Sequence, residues 1–101
     1  MKPRTALRIF VITSGWVFIG RVAISADGSP ILNSGGEVTI LGPACIRKWG
    51  TSNGLGQIAR NGPTRETILD PCTNIFVPRQ QIILSIQCDE DSWKKKIPAV
   101  A

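Results

Sequence analysis

The sequence predicts a mostly β protein: a small, strongly bent β-barrel or sandwich, SH3-like or Sm-like in scale, with one short α-helix. Three observations carry this. Short runs rich in Ile, Val and Phe alternate with turn clusters along most of the chain. Glycines recur in or beside those runs, at Gly20, Gly42 and Gly50, where a tightly curved small sheet needs kinks. A helix pattern with its own stop signal occurs only inside residues 49–71. The likeness to SH3 and Sm barrels concerns architecture alone, because fold does not fix function.

The elements follow in order. Residues 7–13 and 16–25 flank Ser14-Gly15 and read as a β-hairpin with a tight turn. Both parities are apolar, with Ile9, Val11, Val17 and Ile19 on one and Phe10, Ile12, Phe18 and Val22 on the other. A strand buried on both sides points to a covered sheet or to a subunit interface, so self-association as a homo-oligomer is expected. Asp27-Gly28-Ser29-Pro30 and Asn33-Ser34-Gly35-Gly36 are turn clusters. Residues 37–41 and 44–49 read as two short strands broken by a sharp bend at Gly42-Pro43. Residues 49–71 read as loop, helix, loop. Residues 72–77 read as a strand, Pro78-Arg79 as a break, and 81–88 as the final strand, with Ile82, Leu84, Ile86 and Cys88 on one face. Residues 89–96 read as a charged, exposed tail. This gives one domain over 1–93, with 49–71 inserted, and a basic tail over 94–101.

Composition narrows the chemistry. A chain of 101 residues, 43% hydrophobic and 19% charged, supports one domain with one modest core. Its formal charge of +5 favours anionic partners, such as nucleotides, nucleic acid or an acidic protein surface. Between Arg47 and Arg79 five basic residues oppose only Glu66 and Asp70. Histidine is absent, which removes the commonest general base and metal ligand. Ser and Thr therefore lack an activating partner, and no enzyme is expected. Cys45, Cys72 and Cys88 are widely spaced with no close pair, so neither a zinc site nor another metal or cofactor is expected. All three lie in or beside apolar runs and read as buried free thiols in a cytoplasmic protein. Asp89-Glu90-Asp91 beside Lys94–Lys96 reads as a solvated turn. The start of the chain has signal-peptide features, a basic residue or two and an apolar run from Ile9 to Gly20. Ser14 and Gly15 interrupt that run and Arg21 falls in the would-be cleavage region, so paired strands are the preferred reading. No apolar run is long enough to cross a bilayer, and no membrane partner is expected.

Function points to residues 49–71, a long glycine-rich segment of the kind that compact domains keep for a purpose. Within it, residues 55–60 make about two helical turns, capped by Ser52 or Asn53 and stopped by Gly62-Pro63. Leu55, Ile58 and Ala59 face the sheet. Free amides around Gly50, Thr51, Asn53, Gly54 and Gly56 suit an anion. Trp49 offers a flat face for a base, Arg47, Arg60 and Arg65 offer cationic donors, and Thr64 a hydroxyl. The expected ligand is a small, nucleotide-like anion. No Walker or dinucleotide fingerprint is present.

The run 46–91 resembles a family of small uncharacterised phage and prophage proteins that carry R-x-W-G-T, G-L-G, G-P-T and T-x-L-D-P segments before a closing strand with Cys and Trp. The matching positions include Arg47, Trp49, Gly50, Thr51, Gly54, Leu55, Gly56, Ala59, Gly62, Pro63 and Thr64, then Thr67, Leu69, Asp70, Pro71, Cys88 and Trp93. The resemblance implies a viral or mobile-element source and brings no activity with it. Small phage proteins often counter host defence, by capturing a nucleotide signal or by covering a host protein. The alternative reading is accordingly an inhibitor that binds a host protein or nucleic acid through Lys2, Arg4, Arg8 and Lys94–Lys96.

Overall fold

The hairpin sets the architecture. The computed structural model describes residues 4–48 and 55–94. Strand β1 (Arg4–Ile12) and strand β2 (Val17–Ile24) pair antiparallel through a 3-10 turn at Thr13–Gly15. Leu7, Ile9, Val17 and Ile19 enter one core cluster, while Ala6, Phe10 and Val22 enter a second on the opposite face. Both faces are thus largely covered by the chain itself, and most of the apolar surface that suggested self-association is internal.

Strand β3 (Glu37–Lys48) explains how one short chain covers two faces. The two predicted strands 37–41 and 44–49 are a single strand with a bend at Gly42, whose φ is 55°. Val38 and Ile40 pack in the second cluster, yet Ala44 and Ile46 pack in the first. A regular strand would keep all four on one face, so the bend rotates the strand across the sheet. Before the bend, β3 pairs with β5 (Ile75–Pro78). From Leu41 onward β3 pairs with β2, and past the bend with β4 (Ile68–Pro71) as well. Gly20 of β2 lies under the crossing. A Cβ built there would stand 2.3 Å from Cγ2 of Ile40 and 3.1 Å from Cα of Pro43, so only glycine permits the approach.

The sheet runs β4-β3-β2-β1-β6, where β6 is Ile82–Gln87, and β5 joins β3 off that path. It is mostly β and strongly bent, as expected, and it stays open rather than closing as a barrel. Two sequence readings of this half need correction. Residues 68–71, assigned to loop, form β4, and the strand expected over 72–77 begins only at Ile75. Cys72 occupies the turn between them and is exposed, not buried. The final strand does not hold one apolar face, because the ladder with β1 shifts between Leu84 and Ile82 and leaves Ile83 as an extra residue. Ile86 therefore packs in the first cluster and Ile82 in the second.

Helix α1 (Leu55–Asn61) matches its expected span and buries Ile58 and Ala59 on the first face. Its N-cap candidates, Ser52 and Asn53, lie outside the described residues. The expected exposed tail begins instead with helix α2 (Glu90–Trp93), and Trp93 is fully buried. The α2 segment closes the end of α1. Trp93 Nε1 donates to the Ile58 carbonyl at 2.8 Å, and the Asp89 amide donates to the Ala59 carbonyl at 2.8 Å. The Ser92 hydroxyl lies 3.2 Å from the Arg60 carbonyl and 2.6 Å from Asp89 Oδ2. It has one proton, and the nearer, charged acceptor takes it. The Ala59 carbonyl, near the end of the helix, thus gains a partner from elsewhere in the chain, and the Ile58 carbonyl gains the indole beside the Gly62 amide. Gly62, at φ 87°, ends α1 as expected, and a Cβ there would meet the Ser92 carbonyl oxygen at 2.4 Å.

Buried Arg21 anchors α2 from the sheet. Its guanidinium grips Glu90 with contacts of 2.7 and 3.1 Å. Two of the three carboxylates at 89–91 are therefore committed, Asp89 as the α2 cap and Glu90 to Arg21.

Candidate functional site

The bend of β3 and the arrival of β4 beside it leave a cleft. Its volume is about 740 Å³, within the range of small-molecule sites. Pro43 and Ala44 line it from the bend, and Ile68 and Leu69 from β4. The segment between α1 and β4 supplies Thr64 and Arg65. Arg65 is the only charged side chain among the described lining residues.

Local hydrogen bonds shape that segment. The Thr64 amide donates to Thr67 Oγ1 at 2.9 Å, the Glu66 amide donates to Thr64 Oγ1 at 3.2 Å, and the Thr67 amide donates to the Thr64 carbonyl at 3.2 Å. This closed turn follows from two threonines spaced three apart after Pro63. On the opposite wall, the Cys72 amide donates to the Pro43 carbonyl at 2.9 Å, and the Gly42 amide donates to Asn74 Oδ1 at 3.1 Å. Both walls are thereby held by backbone bonds.

The expected site divides into three groups. Thr64 and Arg65 line the cleft. Arg47, Gly56 and Arg60 are exposed and do not line it; Arg60 belongs to the last turn of α1, where α2 docks. Trp49, Gly50, Thr51, Asn53 and Gly54 lie outside the described residues. Sequence reasoning missed Pro43, Ala44, Ile68 and Leu69. The signal was present in the apolar pair Ile68-Leu69 after a threonine turn, which reads as a short strand once the bend at Gly42-Pro43 is available to receive it.

A second, smaller groove of about 290 Å³ is almost wholly apolar. It is lined by Trp16, Phe18, Ile75 and Phe76 among others. Trp16 and Phe18 stack with ring centroids 6.2 Å apart. Trp16 and Phe76 remain 59% and 57% exposed, which is unusual for residues so large and apolar.

The thiols differ sharply. Burial, with the charge of Glu90 adding to it, pushes the Cys88 thiol up to about 12. Burial also raises Cys45. All three cysteines are free, and no group of three or more potential metal ligands occurs among the described residues. No described helix is long and apolar enough to cross a membrane. The chain matches no family model, no curated protein and no solved structure.

Proposed function

We propose that this protein is a non-catalytic binding protein that sequesters a small nucleotide-like anion in the cleft between the β3 bend and β4. The observation that carries this reading is the lining itself, which among the described residues sets apolar walls around one cation, Arg65, with Thr64 beside it. Apolar walls take the flat part of such a ligand, and a guanidinium fork takes its phosphate or carboxylate. Trp49, with the glycines that follow it, would complete the site by stacking on the ring. With the resemblance to phage proteins, the role is an accessory one in the cytoplasm of an infected host, lowering the free level of a defence signal.

The test is a thermal-shift and calorimetric screen against cyclic nucleotides, cyclic dinucleotides and ADP-ribose. A true ligand at a hundredfold excess over its dissociation constant stabilises the fold by roughly 2.7 kcal/mol. Arg65→Ala and Trp49→Ala are each expected to abolish most of that gain. Absence of any shift across the three classes overturns the reading.

The aromatic groove supports a second reading, an inhibitor that covers a host protein. Trp16 and Phe76 have the chemistry of interface anchors. A host protein that co-purifies with the wild type, and is lost with Trp16→Ala, favours it. Binding to nucleic acid through the basic ends would instead weaken steeply with salt.

A further inference from the structure

Strand β6 is an edge of the sheet, and apart from the slip at Ile83 it lacks the devices that natural edges carry. Among the described residues no strand pairs with its outer side. The other edges are interrupted, since β4 contains Asp70 and ends at Pro71, and β5 ends at Pro78. β6 reads Ile-Ile-Leu-Ser-Ile-Gln, with no charge and no proline. Ile83 is 61% exposed and Leu84 47% exposed along it. A bare apolar edge of this kind templates another strand.

The hydrogen-bond pattern says which groups are free to do so. The Cys88 amide donates to the Leu7 carbonyl at 2.9 Å, so Cys88 faces β1. Antiparallel alternation then turns Ile86 and Leu84 toward β1, and turns the N–H and C=O of Ser85 and Gln87 outward.

We propose that β6 pairs antiparallel with β6 of a second copy of this chain, joining two sheets into one across a two-fold axis. Antiparallel two-fold pairing across a sheet needs an axis perpendicular to it, passing through a residue paired with its own copy. Leu84 and Ser85 are the central residues of the strand. With the axis at Ser85, Leu84 of one copy meets Ile86 of the other, and with the axis at Leu84, Ser85 meets Ile83. In either register the segment that enters β6, with exposed Arg79, runs toward the segment that leaves β6 of the other copy, with exposed Asp91, twice per dimer. This charge match favours a second copy over an unrelated peptide. The proposal is independent of the ligand reading.

Sedimentation equilibrium on the full chain tests it. The wild type is expected to dimerise, with a dissociation constant of order micromolar. Ile83→Lys places a charge on the bare edge and is expected to weaken association at least tenfold, with circular dichroism confirming an intact fold. Arg79→Glu is expected to weaken it several-fold, and Arg79→Glu combined with Asp91→Lys to restore part of it. Amide exchange gives a second readout. Ser85 and Gln87 should slow as concentration rises, whereas Ile86 should not respond. A wild type that stays monomeric at roughly 100 µM overturns the proposal. So does a dimer that Ile83→Lys and Arg79→Glu leave unchanged, with Ser85 and Gln87 exchanging as before.

Discussion

The indole Nε1 of Trp93 donates a 2.8 Å hydrogen bond to the carbonyl oxygen of Ile58, 35 residues earlier in the chain. Both residues are fully buried in the first core cluster, which also holds Leu7, Ile9 and Cys88. One side chain thus fills the core and completes a helix end. The Ile58 carbonyl also receives the Gly62 amide at 2.8 Å, so it keeps a partner when the indole is removed.

Trp93→Phe is therefore expected to lose the indole donor and some volume, and Trp93→Ala the whole plug. The expected losses are about 1–2 kcal/mol for the first and about 3–5 kcal/mol for the second. Denaturant unfolding monitored by far-UV circular dichroism measures both. Equal losses would show that the indole hydrogen bond, and not the packing of the ring, holds α2 in place.

Gly20 and Gly62 give a matched comparison. At Gly20 the obstacle is the Ile40 side chain and the Pro43 backbone, without an unusual φ. At Gly62 a positive φ adds to a clash with the Ser92 backbone. Gly62→Ala is expected to destabilise by more than about 1 kcal/mol through conformation alone, before the clash is counted. Gly20→Ala should lose stability through the crossing, and because Ile40→Ala removes the Cγ2 in the way, the double variant should lose less than the sum of the two single changes. Thermal unfolding of the four variants checks this, and additive effects at Gly20 and Ile40 would refute the contact argument.

Cysteine chemistry should separate the three thiols. In the native state Cys72 is expected to react rapidly with a thiol reagent, while Cys45 and Cys88 react only on unfolding. The pH dependence has a definite sign. Cys88 is raised to about 12 in the folded chain, so its contribution is complete below the unfolded thiol value near pH 8.5. Stability is then lost as pH rises from there toward 12. Cys88→Ala should flatten that alkaline limb in urea titrations at stepped pH. An unchanged limb would mean the loss arises elsewhere.

Much of the scaffold was legible because it rests on local patterns. The double-parity hairpin, the bend at Gly42-Pro43 and the stop at Gly62-Pro63 each follow from the nearest few residues. The misses depend on partners distant in sequence. β4 forms because Ile68-Leu69 finds β3 after the bend, and no local periodicity in a four-residue strand announces that. Asp89–Trp93 looks like a tail because its residues are charged, yet Arg21 and the end of α1 give those groups partners. The slip at Ile83 is likewise set by β1 and invisible in β6 alone. Of the expected site, Thr64 and Arg65 meet at the cleft because the turn holding them is local. Its apolar walls come from two separate segments, the bend of β3 and β4.

The closure of α1 by α2 also orders events during synthesis. A ribosome delivers α1 long before residues 89–93, and until those emerge the Ala59 carbonyl lacks its protein partner and the cavity for Trp93 stands open. The nascent chain can pair its hairpin early, but its first core cluster closes only when the last of these residues clears the exit tunnel. Premature termination upstream of Trp93 would release a chain with an exposed apolar sheet face, a natural substrate for the cell's proteases.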